Sequence, residues 1–237
     1  MVKSELIQRS PLRILEKSIN GGLGKGNIAF VASKKGVGKT ACLVHIATDK
    51  LFRERNVIHV SFSKRTDHII SWYEDIFNEI SKKRNLENAL SIHDEIIRNR
   101  VIMNFNQKDI DITQILKSLE AMIVGGNFKA DAVIVDGFEI EQMSFDGLKK
   151  VKEFAKKLDL EVWVSASLKK NDLTFDENGI PYELADLLEV IDVLITLKYD
   201  EKNIRMDVVK DRDEIISQER HLFLDPKTLL IMESETL

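Results

Sequence analysis

Cysteine occurs once in the 237 residues, at Cys42, so the chain cannot form an intramolecular disulfide, and a reducing, cytoplasmic setting is expected. Proline occurs three times. No stretch is rich in proline, glycine or serine and no repeat is visible, which argues against flexible linkers and low-complexity tails. Apolar runs such as 130–135, itself interrupted by Asp131, fall far short of the roughly 20 residues that span a bilayer. The opening Met1-Val2-Lys3-Ser4-Glu5-Leu6 has no apolar signal-peptide core, and no membrane association is expected. The five histidines (His45, His59, His68, His93 and His221) show no metal-ligand spacing and no Cys/His cluster exists, so they read as surface or core residues. Positive charge is not in excess: 35 Lys and Arg stand against 39 Asp and Glu, a net charge of −4. A dedicated nucleic-acid binder is therefore not expected. The basic run at 81–84 suits the carboxyl end of a helix, where cations oppose the dipole.

The chain is 43% hydrophobic and 31% charged, the balance of an ordered globular protein. Strand-like apolar runs alternate with amphipathic stretches. Strands are expected over 28–32, 57–62, 101–105, 132–135, 162–166 and 193–197. Helices are expected over 40–55, 67–83, 86–99, 112–124 (closed by Gly125 and Gly126), 145–158 and 182–189. The tail reads as short strands over 204–209, 219–224 and 229–232. Trp72, Tyr73 and Trp163 fall on these patterns as packing groups. Continuous apolar strands alternating with helices imply an α/β fold, a mostly parallel sheet with helices on both faces and a β-rich C-terminal edge. Ligands of such sheets bind at the carboxyl ends of the strands.

One motif carries chemistry. Ser33-Lys34-Lys35-Gly36-Val37-Gly38-Lys39-Thr40 matches G-x-x-x-x-G-K-[ST] at every fixed position but the first, between an expected strand and an expected helix. Gly36 and Gly38 let backbone N–H groups face phosphate oxygens, and the helix start, running on through Ala41, adds its positive dipole end. Lys39 is expected to reach the β- and γ-phosphates, and the Thr40 hydroxyl to ligand Mg²⁺. Ser33 is tolerable if its backbone need not take a positive φ. The strand 132–135 runs into Asp136, which would face the loop and hold Mg²⁺ through water. ATP and Mg²⁺ are the expected ligands.

With these residues in place, the chain resembles the RecA-like ATPases, in the branch containing KaiC, RadA and the DnaB helicase motor. The resemblance runs from about 14 to 231 as one domain, leaving 1–13 as an N-terminal extension. It rests on "INGGLGKGNIAFVASKKGVGKTACLVHIA", "NVIHVSFSKRT", "ADAVIVDGF", "KEFAKKLDLEVWVSASLKK", "IDVLITL" and "MDVVKDRDE" in that order. It implies ATP binding and homo-oligomers, and makes the cluster 21–26 a structural turn. It also implies that Lys210 and Arg212 are fingers reaching a neighbouring subunit's γ-phosphate; the alternative is a solvated hairpin tip. Two departures stand out. Ser63 takes the position of the water-polarising glutamate, with Asp67 and Glu139 as conceivable substitutes, and Ser167 that of a phosphate-sensing glutamine.

The resemblance therefore implies a weak or cryptic ATPase, a nucleotide-gated oligomeric regulator. A scaffold module without turnover is the alternative, and a DNA-associated motor is disfavoured by the acidic balance. Lys34 also gives a lesser likeness to the deviant loop of the ParA and MinD ATPases, whose second strand ends in an Asp-x-Asp-type motif where this chain has Ser61-Phe62-Ser63.

Overall fold

The computed structural model describes residues 2–63, 65–106, 111–168, 175–200, 202–216 and 222–233. Lys64, Lys169, Lys170, His221 and the first residues of the strand expected over 219–224 lie outside the described residues. Ten strands among the described residues form one sheet. They are β1 (Ile28–Lys34), β2 (Val57–Ser61), β3 (Arg100–Asn104), β4 (Ala132–Asp136), β5 (Glu161–Leu168), β6 (Val193–Asp200), β7 (Asn203–Asp211), β8 (Glu214–Ile215), β9 (Leu222–Leu224) and β10 (Ile231–Glu233). The order is β10-β9-β7-β6-β1-β5-β4-β2-β3, with β8 paired to β7. The strands from β6 to β3 run parallel, and β7 to β10 add antiparallel pairs at the C-terminal side.

The core divides into two apolar layers, one on each face of the sheet. One layer includes α3 (Lys39–Phe52), α4 (Thr66–Arg84) and α5 (Ala89–Arg98) packed on Ala29, Val31 and Ile134. The other places Ile115 of α6 (Ile112–Glu120) and Leu148 of α7 (Phe145–Lys157) against Phe30, Val133 and Val164. Alternate residues of each strand feed opposite layers, which is why the buried strands read as unbroken apolar runs.

Helix α3 is buried almost throughout, with its polar side chains paired. The Thr48 hydroxyl donates to the Val44 carbonyl (2.8 Å), Asp49 pairs with Arg13 and with Arg53 (2.9 Å), and Lys50 pairs with Glu161. His45 Nδ1 accepts from the Ile231 N–H at 2.9 Å, tying β10 to this helix.

The N-terminal extension, residues 1–13, includes a helix, α1 (Lys3–Gln8), and runs into a second, α2 (Leu12–Ser18); Leu6, Leu12 and Leu15 enter the core and Lys3 pairs with Glu95 at 2.7 Å. Two expectations need correction. The helix over 112–124 stops at Glu120 and continues as one π-helical turn, Ala121–Gly125. Gly126 keeps a negative φ of −83°, and the left-handed residue is Asn127. A Cβ on Gly126 would lie 2.7 Å from the Met122 carbonyl oxygen, so close approach, not handedness, selects glycine there. The helix over 182–189 is a 3₁₀ segment, Tyr182–Leu187, started by an i to i+3 bond from Leu184 N–H to the Pro181 carbonyl (3.0 Å).

Candidate functional site

The turn after β1 is built around Lys39. Its ammonium donates to the Ser33 carbonyl (3.1 Å), the Ser33 hydroxyl (3.2 Å) and the Lys34 carbonyl (2.9 Å), so residues 33–39 curl round one cation. Burial lowers the Lys39 pKa to about 8, against the opposing pull of Asp136. Ser33 is extended within β1, beside Ser167 of β5, and needs no positive φ, so serine fits the first motif position. Gly38, at φ +123°, begins α3; a Cβ there would sit 2.5 Å from the Leu224 side chain. Glycine is thus required both by backbone conformation and by the C-terminal hairpin lying against the loop.

Register aligns Ser61 of β2 with Asp136 of β4, at the carboxyl ends of parallel strands. The Thr40 hydroxyl donates to Asp136 Oδ2 at 2.9 Å, joining two residues 96 positions apart. The structure thus brings Thr40 and Asp136 together beside the loop. Hard oxygen donors of this kind suit Mg²⁺, which takes few protein ligands and keeps water or phosphate oxygens for the rest.

Around this pair opens a cleft of about 590 Å³. Its floor carries hydroxyls: Ser61 accepts from Ser63 N–H (3.1 Å), Ser165 accepts from Gly137 N–H (2.9 Å), and Ser63 and Ser167 also line it. Lys35 through Ala41 line the loop side, whereas Lys34 does not line the cleft. Asp136 is the single carboxylate among the described lining residues. Asp67 is exposed and paired with Arg65, and Glu139 is exposed beside Gln142 (3.3 Å). Neither lines the cleft.

Lys210 and Arg212 lie elsewhere. Lys210 pairs in register with Leu194 near the amino end of β6, level with Phe30 of β1, so it sits toward the sheet end opposite the loop, about 13 Å from the end of β1 by strand rise. Its ammonium donates to the Ile191 carbonyl (2.6 Å) and to the Arg212 carbonyl. Burial lowers its pKa, with nearby carboxylates opposing. Arg212 donates to the carbonyls of Ile19 (3.2 Å), Gly22 (3.0 Å) and Leu23 (3.3 Å), bracing the glycine-rich turn that precedes β1. Both cations therefore cap backbone carbonyls of their own chain.

Several lining groups were missed in the sequence. Ser165 alternates with Ser167, which the resemblance had singled out, in "VWVSASL", so period 2 puts both on one face, a readable signal. His68, Ile69 and Trp72 line the cleft from α4. Trp72 also packs on the core, so it is more than the packing group expected. Tyr199, Ile204, Pro226 and Leu229 close the far side, brought there by the β7 and β9 pairings that no local pattern encodes. Beneath the site, buried His59 shares a 3.1 Å hydrogen bond with Tyr73, and Arg100 lies 4.2 Å from the Tyr73 ring centre. Compared with known proteins, the chain matches no family model, and no curated protein matches it significantly.

Proposed function

We propose that the chain is a RecA-like protein that binds ATP with Mg²⁺ in this cleft and turns it over slowly or not at all, acting as a nucleotide-gated regulator in an oligomer. The observation that carries the reading is the coincidence of a Lys39-centred phosphate loop with the Thr40–Asp136 hydrogen bond in one open cleft. Phosphate oxygens would replace the loop carbonyls as partners of the Lys39 ammonium, alongside the N–H groups at the start of α3. Thr40 and Asp136 would hold Mg²⁺, which offsets charge on the β- and γ-phosphates when bound.

Slow turnover follows from what surrounds the phosphates. A serine hydroxyl is a poor general base near neutral pH without an activating partner, and the one carboxylate among the described lining residues accepts from Thr40. This favours the alternative of a scaffold module without turnover over a motor. The bonds that Lys210 and Arg212 make in cis point the same way, because a role as fingers requires breaking them. The ParA-type reading gains no support from Lys34, whose side chain does not line the cleft.

A single mixture tests this: radiolabelled ATP with excess protein and Mg²⁺, followed by filter retention and by product chromatography. Retention with product forming slowly, and only when Asp136 is intact, supports a cryptic ATPase. Retention with no product supports the scaffold module, and no retention overturns the site.

A further inference from the structure

We infer that an apolar pocket beside α3 is a second binding site, for a short aliphatic carboxylate, and that its occupant weakens nucleotide binding through the segment 224–232, which both sites share. The linkage rests on the nucleotide reading above; the pocket does not.

The pocket lies in the core layer that holds α3, and Leu6, Phe52, Ile80 and Leu230 give it apolar walls. Its space is about 40 Å³, where one water-sized group needs about 10–15 Å³, so it takes a chain of a few carbons. Asp49, Lys83 and Arg84 also line it. Asp49 is already matched by Arg13 and by Arg53 (2.9 Å). Lys83, by contrast, donates to the Met232 thioether at 2.8 Å, a weak acceptor that a carboxylate would displace. Asp225 lies within the electrostatic reach of Lys83, but its carboxylate accepts from the Lys227 (2.8 Å) and Thr228 (3.4 Å) N–H groups. Two cations beside apolar walls select an anion with a short apolar tail. A peptide strand fits less well: β10 ends the sheet, but its Ile231 N–H is spent on His45 of α3.

The segment from 224 to 232 touches both sites. Leu224 lies against Gly38 of the loop, Pro226 and Leu229 line the cleft, and Leu230, Ile231 and Met232 line the pocket. The boundary falls at Leu229, which holds φ +57°, in the left-handed region that a leucine seldom adopts. Such strain persists only where surrounding contacts enforce it, and it recurs in switch segments. Lys39 holds the Ser33 and Lys34 carbonyls, so phosphate binding must reshape the loop under Leu224. An occupant wedged against Leu230 and Met232 braces the segment where it stands and opposes that change.

Methyl NMR of Met232, assigned with Met232→Leu, tests the pocket with sodium pentanoate as the probe. The methyl should shift saturably, and affinity should rise about fourfold per methylene from propionate to pentanoate, with octanoate no tighter. Pentylammonium should bind at least about tenfold more weakly than pentanoate. Lys83→Met combined with Arg84→Met should keep the unfolding transition and lose about tenfold in pentanoate affinity. No saturable shift, equal binding of pentylammonium, or an unchanged affinity in the double variant overturns the site. For the linkage, saturating pentanoate should weaken Mg·ATP by at least about fivefold, and Mg·ATP should weaken pentanoate by the same factor. Leu229→Gly, which accepts the left-handed backbone, should bring that factor toward one. A Mg·ATP affinity that pentanoate leaves unchanged or tightens overturns the linkage and leaves the pocket standing. Failure of Mg·ATP to bind the wild type overturns the nucleotide reading, and with it the linkage, while the pentanoate titration still decides the pocket.

Discussion

Lys39 should make nucleotide affinity fall as pH rises through about 8. Burial lowers its pKa from 10.5 to about 8 in the free protein, and only 7% of the residue is exposed. A bound polyphosphate places negative charge beside the ammonium and raises that pKa again, so binding takes up a proton wherever the free lysine is neutral. For a group titrating at about 8, the protonated fraction falls from about nine-tenths at pH 7 to about one-tenth at pH 9. Affinity should therefore drop about tenfold over that interval, while the phosphates, already ionised above about pH 6, contribute little. The assay is calorimetry with Mg·ATP at fixed ionic strength, repeated in buffers of different ionisation heat to count the proton. Lys39→Met should bind weakly and without this slope. An affinity independent of pH between 7 and 9 in the wild-type protein, or an equal slope in Lys39→Met, would refute the reasoning. The same shift acts on folding with its own sign. Between about pH 8 and 10.5 the unfolded chain holds the lysine proton and the folded protein does not, so apo stability should rise across that window.

Four other substitutions probe the site and the core beside it. Gly38→Ala forces a side chain to φ +123° and into Leu224, and should cost roughly 1–3 kcal/mol in denaturant unfolding as well as ATP binding. Asp136→Asn keeps an acceptor for the Thr40 hydroxyl and should fold normally, but ATP affinity should lose most of its Mg²⁺ dependence; an unchanged dependence places the metal elsewhere. Ser63→Glu should raise single-turnover hydrolysis, by up to about 10²-fold if a positioned base is the missing part. No gain would put the defect outside position 63. Burial lowers the His45 pKa to about 4 despite Asp49, so between about pH 6.5 and 4 the unfolded chain binds the extra proton and stability should fall as pH falls. His45→Gln should flatten part of that slope; His59, also lowered by burial to about 4, supplies another part.

What the sequence made legible was local and periodic. The parallel strands announce themselves as unbroken apolar runs because both faces are buried, and the loop announces itself because glycine, lysine and threonine are each needed at fixed offsets. Asp136 was placed by the same logic, as the polar residue where an apolar strand ends. The far wall was not legible. Tyr199, Pro226 and Leu229 reach the cleft through antiparallel pairings at the C-terminal edge, and nothing in their own neighbourhood marks them as lining residues. The same holds for Arg212: the resemblance implied that it and Lys210 reach outward, but the two lie at a sheet end where the carbonyls of 19, 22, 23 and 191 accept from them. Helix endings failed for a related reason. At Gly126 and Tyr182 the outcome depends on one close backbone contact and one preceding proline, not on helical spacing.

The central claim is that residues 33–41 form a phosphate cradle centred on Lys39. Titration of Mg·ATP into the wild-type chain and into Lys39→Ala at about pH 7 tests it most directly. The account predicts a saturable one-to-one heat for the wild type that disappears in the variant, with the variant's unfolding transition retained. Equal affinity in both proteins would contradict it.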